Sequence, residues 1–294
     1  MNEALKEHNL NYIRQIQIEK FSNDTINTIY NFLCSVNKPI VIKPAINSGG
    51  TEGVCIINDL AGIKNYIEQN NNYPYLVQEY IEGTEYIVDV SLFKGKYEVG
   101  FVGEYSKSLV NGVPEYNYAT NCRDKEKIVK LQDFAHKCLQ ACDRVYGMYH
   151  VEIMQDKNGE CFLIEINPRH SGGKGVALQM SSNINGYDQI DLFFKNYVDV
   201  GSLNCKNHNK IHVIFYLKNK FGCFKSINED FISQEIKTCS NYCILQHSCD
   251  ISPIKNTLLE TVAFLYLESN SLEDINNDIE KLNNLQYTQG IFQV

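Results

Sequence analysis

The sequence lacks the long apolar run that a membrane-spanning helix needs. None of its hydrophobic stretches approaches the roughly 20 residues required to cross a bilayer. The first ten residues, MNEALKEHNL, also lack the apolar centre of a signal peptide. Excess positive charge is missing too, because the formal net charge is −8 and the lysines are scattered. These features argue against a membrane protein and against a nucleic-acid-binding surface.

Common zinc-binding patterns are absent, although the chain contains 11 cysteines. Cys138 and Cys142 lie one helical turn apart, and Cys239 and Cys243 repeat that gap, which is not a usual zinc spacing. An odd number of cysteines without a secretion signal is typical of reduced thiols. We therefore expect a cytoplasmic protein. Its 294 residues, 44% hydrophobic and 21% charged, suit a globular fold of two or three lobes.

The Walker pattern of P-loop proteins is also absent, but another glycine-rich loop is present. Lys43 lies in the strand-like segment VIKP, directly before the loop INSGGTEGV. Gly49 and Gly50 would let backbone N–H groups approach an anion, and Ser48 and Thr51 can add hydroxyl donors. A simple β-turn explains the loop alone more easily. Lys43 is harder to dismiss, because lysines are rarely buried without a partner.

The most informative segment is ECFLIEINPRH, which is apolar enough to form a strand. It places Glu165, Asn167 and Arg169 at alternate positions, and alternate side chains of a strand share one face. Two oxygen donors and a guanidinium on one side suit a magnesium–phosphate site. The alternative is a sheet edge that merely ends in polar residues.

A second segment, MYHVEIM, places His150 and Glu152 on one face and precedes the turn-forming sequence DKNG. An Asn-Gly turn between two such segments predicts an antiparallel hairpin, with Glu152, Glu165 and Asn167 on its inner face. Magnesium typically takes one or two protein carboxylates and completes its shell with water and phosphate. His150 fits a structural role as well as it fits contact with phosphate or substrate.

The segment VQEYIEGTEYIVD offers groups of the right kind for a nucleoside. In an extended hinge, the backbone of Gln78, Glu79, Tyr80 and Ile81 can bond to an adenine edge, and Glu85 can accept from ribose hydroxyls. The alternative is a surface strand with solvated acids.

Periodicity predicts the remaining elements. Helices are expected over 3–9, 24–36 and about 184–197, and in the segments LAGIKNYIEQN and DKEKIVKLQDFAHKCLQACDRV. KYEVGFVGEYS continues the sheet, and the tail contains the strands HVIFYLK and ETVAFLYLES before the helix LEDINNDIEKLNN.

In this order, the strand lysine, glycine-rich loop, hinge, long helix, H-x-E hairpin and E-x-N-P-R segment resemble the ATP-grasp superfamily of carboxylate ligases. The resemblance covers about 1–200, and GMYHVEI and IEINPRHSGG look most like the branch that includes L-amino-acid ligases. It implies an α+β fold in which two α+β lobes surround a nucleotide cleft, with a small C-terminal α/β subdomain. The corresponding parts would be an N-terminal helical remnant (1–37), a small lobe (38–86), a large lobe (87–203) and the C-terminal subdomain (204–294).

The resemblance also implies an activity and a set of roles. A carboxylate would attack the γ-phosphate of ATP, and an amine would capture the acyl-phosphate and release ADP and phosphate. The implied roles are phosphate binding by Lys43 and the 48–53 loop, adenine binding by Gln78 to Ile81, ribose binding by Glu85, binding of Mg²⁺ (or Mn²⁺) by Glu152, Glu165 and Asn167, stabilisation of the transferring phosphoryl group by Arg169, and a phosphate or substrate contact by Lys107.

One departure from the family pattern affects the predicted activity. Such enzymes normally begin with another α/β domain and carry an earlier nucleotide-binding lysine, whereas this sequence starts in the helix EALKEHNL. The resemblance therefore leaves open a homo-oligomer, or a partner polypeptide that supplies this domain. It also leaves open an ATP-binding subunit without its own catalysis. A carboxylase or an acyl-CoA ligase is a less suitable alternative, because the biotin or CoA elements that such enzymes usually need are not found in this sequence. A plain interaction module would leave the acids that share one strand face unexplained.

Overall fold

The computed structural model describes residues 1–46, 51–70, 73–198, 209–248 and 261–294. The helices are α1 (Asn2–Glu7), α2 (Thr25–Val36), α3 (Leu60–Gln69), α4 (Lys125–Ala141), α5 (Val176–Asn185), α6 (Gln189–Phe194), α7 (Glu229–Glu235) and α8 (Leu272–Leu285). The strands are β1 (Gln15–Ile18), β2 (Ile40–Pro44), β3 (Cys55–Ile57), β4 (Tyr75–Glu79), β5 (Gly83–Phe93), β6 (Lys96–Val110), β7 (Val113–Asn121), β8 (Gly147–Asp156), β9 (Cys161–Asn167), β10 (Ile211–Lys218), β11 (Ser226–Ile227), β12 (Cys239–Ile244), β13 (Thr261–Ser269) and β14 (Phe292–Gln293). Among these helices, none combines the length and hydropathy that a bilayer crossing requires.

The small lobe is a four-stranded antiparallel sheet in the order β1-β4-β2-β3, packed against α2 and α3. Its strands alternate, so Ile40 and Ile42 of β2 are buried while Lys43 is left for the other face. Helix α3 begins where the Asp59 side chain accepts from the Gly62 N–H, which satisfies one free donor of the first turn.

The large lobe is an eight-stranded antiparallel sheet in the order β12-β13-β10-β7-β6-β5-β8-β9. Helices α1 and α4 cover one face of its central strands, where Leu5, Leu131 and Leu163 are fully buried. Helices α5 and α6 pack on β5, β6 and β10. The lobes meet where the Ile56 N–H of β3 donates to the Gly112 carbonyl between β6 and β7, at 2.8 Å.

Two β-bulges set which side chains of the large sheet share a face. In β9, Glu165 pairs with Glu152 but Leu163 pairs with Ile153, so one extra residue lets Leu163 enter the core while Glu165 faces the opposite side. In β7, the corresponding shift occurs opposite Ser106 and Lys107.

The predicted hairpin is confirmed as β8 and β9, and the predicted helices near the N-terminus, after the glycine-rich loop and before the hairpin are confirmed as α1 to α4. The single helix expected over 184–197 is wrong. The chain instead forms α5 and α6, because α5 ends at Gly186, which has a φ of 81°. Strands β1, β7, β11, β12 and β14 and helix α7 were not predicted.

The predicted domain boundaries remain predictions. The boundary at 86 lies within β5, and β10, β12 and β13 extend the large-lobe sheet across the boundary at 203. Residues beyond 204 nevertheless have an apolar core of their own, in which α7 and α8 pack beneath β10, β12 and β13.

Candidate functional site

A cavity of about 450 Å³ lies between the two lobes, a size typical of small-molecule sites. It is lined by every predicted site residue within the described ranges: Lys43, Thr51, Gln78, Glu79, Tyr80, Ile81, Glu85, Lys107, His150, Glu152, Glu165, Asn167 and Arg169. The predicted loop residues Ser48, Gly49 and Gly50 lie outside the described residues. Residues spread along the sequence are thus brought to one cavity, although no role follows from position alone.

The β8–β9 hairpin brings the oxygen donors together. His150 pairs across the strands with Asn167, and Glu152 with Glu165. The Asn167 amide donates a short hydrogen bond to the Glu165 carboxylate, so the two side chains are in contact. Two carboxylates and one amide fit the hard oxygen ligands that magnesium prefers. Within the described ranges, no three His, Cys, Asp or Glu side chains form a metal-binding group by themselves, so water or phosphate oxygens would have to complete the shell.

A buried chain of polar contacts supports Glu152. His150 Nδ1 lies 2.7 Å from Asp89 Oδ1, and His150 Nε2 lies 3.3 Å from Glu152 Oε1. Burial alone would lower the pKa of His150, but the carboxylates of Asp89 and Glu152 outweigh burial and raise it to about 10. Burial would likewise raise the pKa of Glu152, but its contact with His150 and the charges of nearby lysines lower it. His150 is therefore a cation and Glu152 an anion at neutral pH.

Lys107 lies at the centre of a second group in the cavity. Its Nζ is 2.6 Å from Glu85 Oε2, and the Tyr116 hydroxyl donates to Glu85 Oε1 at 3.1 Å. Burial and the charge of Glu152 raise the pKa of Glu85, against the opposing effect of Lys107. Ribose hydroxyls would have to compete with these partners, so the ribose role of Glu85 stays a prediction.

The hinge already uses part of its hydrogen-bonding capacity. The Glu79 N–H donates to the Arg14 carbonyl at 3.0 Å, and the Tyr80 N–H donates to the Pro39 carbonyl at 2.9 Å. These two N–H groups are therefore not available to a base. Adenine would have to bond to the N–H of Ile81 and to backbone carbonyls of the hinge.

The Glu79 side chain has a structural partner set. Its carboxylate accepts from the Arg14 guanidinium at 3.0 Å and lies 3.1 Å from Lys38 Nζ. Burial would raise the pKa of Glu79, but hydrogen bonds from Arg14 and the charge of Lys38 lower it. These contacts fix the hinge strand to the segments before β1 and β2.

Arg169 follows the end of β9 and is exposed at the cavity rim. Its Nη1 donates to the His170 carbonyl at 2.9 Å. The next residues, Ser171 to Gly173, also line the cavity, and Gly173 has a φ of 62°, which glycine adopts readily. A guanidinium at the rim can turn towards a phosphoryl group that enters the cavity.

The sequence interpretation missed Asp89, which lies behind the cavity residue His150, and one end of the cavity itself. Asp89 is 1% exposed in the middle of β5, and only its charge within the apolar run EYIVDVSLF distinguishes it. The cavity also has an aromatic and apolar end. Its members are Phe101, Tyr105, Tyr116, Ala119, Val176, Ala177, Ile214, Tyr216 and Phe264.

Comparison with known families supplies the class of protein. Residues 36–177 match the ATP-grasp domain, as the resemblance predicted. Dapdiamide A synthase of Enterobacter agglomerans is 30% identical over 147 residues, which are 46% of this chain and 34% of that protein. The chain therefore spans about a third of the length of this relative.

Solved structures confirm the fold. The L-amino acid ligase from Bacillus licheniformis matches with a TM-score of 0.73 and 16% identity, over 96% of this chain and 69% of that one. Carboxyaminoimidazole ribonucleotide synthase from Aspergillus clavatus, complexed with ATP, matches with a TM-score of 0.69 and 13% identity, over 97% and 71%. The chain has the ATP-grasp fold, with mixed helix and strand content.

Proposed function

We propose that this chain is the ATP-grasp part of an ADP-forming ligase that activates a carboxylate as an acyl-phosphate and joins it to an amine, with amino acids as substrates. The observation that supports this most is the shared cavity. The small lobe contributes Lys43 and the hinge, and the large lobe contributes the hairpin acids.

Nucleotide binding would use both lobes. The base would lie against the hinge and bond to the Ile81 N–H and a neighbouring carbonyl, since the Glu79 and Tyr80 donors are engaged. Ribose would replace part of the contact between Glu85 and Lys107. Lys43, Thr51 and the glycine-rich loop would meet the phosphates, because a lysine and backbone donors offset phosphate charge.

Glu152, Glu165 and Asn167 would hold magnesium or manganese, and such an ion would supply charge neutralisation at the phosphate oxygens. Lowering of the Glu152 pKa keeps this residue ionised at neutral pH, which suits a ligand. The His150 cation would hold the Glu152 carboxylate in place.

The reaction needs positioned reactants more than covalent help from the protein. A carboxylate oxygen of the substrate attacks the γ-phosphorus, the bond to the β–γ bridging oxygen breaks, and ADP leaves with the electron pair. An amine nitrogen then attacks the acyl carbon, phosphate leaves, and the amine proton passes to solvent. Arg169 would stabilise the phosphoryl group, and Lys107 would neutralise the carboxylate or the acyl-phosphate.

Release of ADP tests the proposal. The protein is incubated with ATP, magnesium and pairs of amino acids, and ADP and the condensed product are measured by a coupled assay and mass spectrometry. We expect ADP release that depends on both the metal and an amino acid, with a product lighter than the two substrates by one water. ATP binding without turnover for any pair would contradict the ligase and favour an ATP-binding subunit. Absence of ATP binding would overturn both.

A further inference from the structure

Four aromatic rings form a continuous row along one end of the cavity. They come from four neighbouring strands of the large sheet, β6, β7, β10 and β13. Tyr105 and Tyr116 have ring centroids 4.8 Å apart, Tyr116 and Tyr216 6.3 Å, and Tyr216 and Phe264 5.5 Å, each pair edge to face. Edge-to-face pairs hold each other in fixed orientations, so the row is a rigid wall.

The β-bulge in β7 turns Tyr116, the second ring of the row, towards the cavity. Tyr105 pairs with Ala119 and Lys107 with Tyr116 across the strands, so one extra residue of β7 lies between these pairs. Without it, Tyr116 and Ala119 would point to opposite faces. Ala119 of β7 and Ala177 of α5 both line this end of the cavity, where a larger side chain would take up space.

One strand, β5, lies between the first ring of this aromatic end and the predicted metal residues. The hairpin acids lie on β8 and β9, whereas the rings begin at β6 and extend away from the hairpin. Lys107 stands between the two ends, with its Nζ 2.6 Å from Glu85 and 3.8 Å from the Tyr116 ring centroid. A ligand lying along the wall would have one end at this lysine.

We propose that the aromatic end binds the large apolar side chain of an amino-acid substrate, whose reacting group lies at Lys107. This inference rests on the proposed ligase function and adds the substrate class. Removal of apolar surface from water is favourable, so an aromatic or branched side chain would bind well there. A charged side chain that extended past Lys107 towards Tyr216 and Phe264 would be desolvated against aromatic and aliphatic carbons, which is costly.

The test compares selectivity between amino acids. We expect kcat/KM for phenylalanine or leucine to exceed that for aspartate and glycine. Ala119→Val should lower the ratio of kcat/KM for phenylalanine to that for alanine by roughly 10-fold, because pockets typically discriminate one methylene by 10- to 200-fold. Ala177→Val, on helix α5 at the same end of the cavity, should act in the same direction and serves if the first variant does not fold. The matched control is Ala263→Val, a buried strand alanine outside the cavity, which should leave the ratio unchanged.

Two substrate analogues distinguish the reacting group. N-acetylphenylalanine offers only the carboxylate and phenylalanine amide only the amine, so the one that supports ADP-forming condensation identifies which substrate uses the wall. If no pair turns over, which contradicts the ligase, calorimetry with magnesium and a non-hydrolysable ATP analogue still measures amino-acid binding. Tighter binding of phenylalanine than of aspartate or glycine, weakened by Ala119→Val, supports the proposal. Equal binding, preference for a charged or small amino acid, or an unchanged ratio in both valine variants overturns it.

Discussion

Two clusters of buried charged residues lie in the large-lobe sheet, and they differ in how their charges are balanced. Glu115, 2% exposed, contacts Lys218 at 3.0 Å and Lys220 at 2.9 Å, away from the cavity. The other cluster consists of Asp89, Glu152 and Glu165. Asp89 and Glu152 share one contacting cation, His150, and Glu152 and Glu165 face the cavity. Both clusters therefore contain buried charge, but only in the first do lysines of the protein balance the charge of the acid.

The pKa values follow the same contrast. Burial would raise the pKa of Glu115, but Lys220 and Lys218 lower it. Glu85, beside the second cluster, keeps a raised pKa, since burial and Glu152 outweigh Lys107. An acid that its neighbours satisfy is structural, whereas a surplus of acids at a cavity indicates a place for an external cation.

The largest expected effect comes from removing one charge of the cavity cluster. Glu165→Gln should lower metal-dependent ADP release by roughly 1000-fold, because electrostatic groups aimed at reacting phosphate contribute on this scale. The amide keeps an acceptor for Asn167, so the melting temperature should stay close to that of the wild type. Steady-state kinetics and thermal denaturation measure both quantities. Glu280→Gln, an exposed acid, is the control, and full turnover in Glu165→Gln would exclude a ligand role.

The corresponding change in the closed cluster should affect stability instead. Glu115→Gln removes the carboxylate that contacts both Lys218 and Lys220 and should lower the free energy of unfolding by about 3 kcal/mol. Turnover per folded molecule should stay near that of the wild type. Urea denaturation and ADP assays at low temperature measure these two quantities. Loss of turnover in a Glu115→Gln variant of unchanged stability would show that Glu115 contributes to the reaction and not to the fold.

The Glu115 variant also has an expected pH dependence. The pKa of Glu115 is lowered from its ordinary value of 4.5, so its stabilising contribution is fully present above that value. The contribution is lost as pH falls through the lower pKa of the folded state. The difference in unfolding free energy between wild type and Glu115→Gln should therefore be largest at neutral pH and shrink below pH 4.5. A difference that grows on acidification would contradict this assignment.

A smaller effect is expected from Asp89, which acts on Glu152 only through His150. Asp89→Asn should weaken binding of manganese in the presence of an ATP analogue by about 10-fold, as is typical when an outer partner of a metal ligand is lost. ATP affinity without metal should fall less, because Asp89 reaches the predicted phosphate and metal residues only through its contact with His150. Calorimetry measures both affinities. Asp133→Asn, an exposed acid paired with Lys137, is the control, and equal losses with and without metal would make Asp89 a general structural residue.

The hairpin end of the site could be predicted from sequence because its signals are local. Alternation in MYHVEIM and IEIN places His150, Glu152 and Glu165 on one face, and the Asn-Gly turn fixes the pairing of the strands. Both features act within a few residues, so they survive in any fold that contains the hairpin. The strand bounds and pairing agree with this prediction.

The aromatic end could not be predicted in the same way. Tyr116 faces the cavity only through a bulge, which breaks the alternation on which strand prediction depends, and β7 was missed for that reason. The row also joins strands far apart in sequence, so no local pattern connects Tyr105 with Phe264. The start of helix α5 was also missed. The segment SGGKG directly before it contains three glycines, which favour a loop, so no sequence signal indicated a helix beginning at Val176.

The pairing of β7 with β10 predicts how a truncated form of this protein would behave. Val213 lies opposite Thr120, and Phe215 opposite Tyr118. A shortened version that stopped before β10 would leave β7 as an exposed edge strand. Its unpaired N–H and C=O groups could then pair with strands of other molecules. Such a truncation would favour aggregation, so β10, β12 and β13 should all be kept in any shortened version.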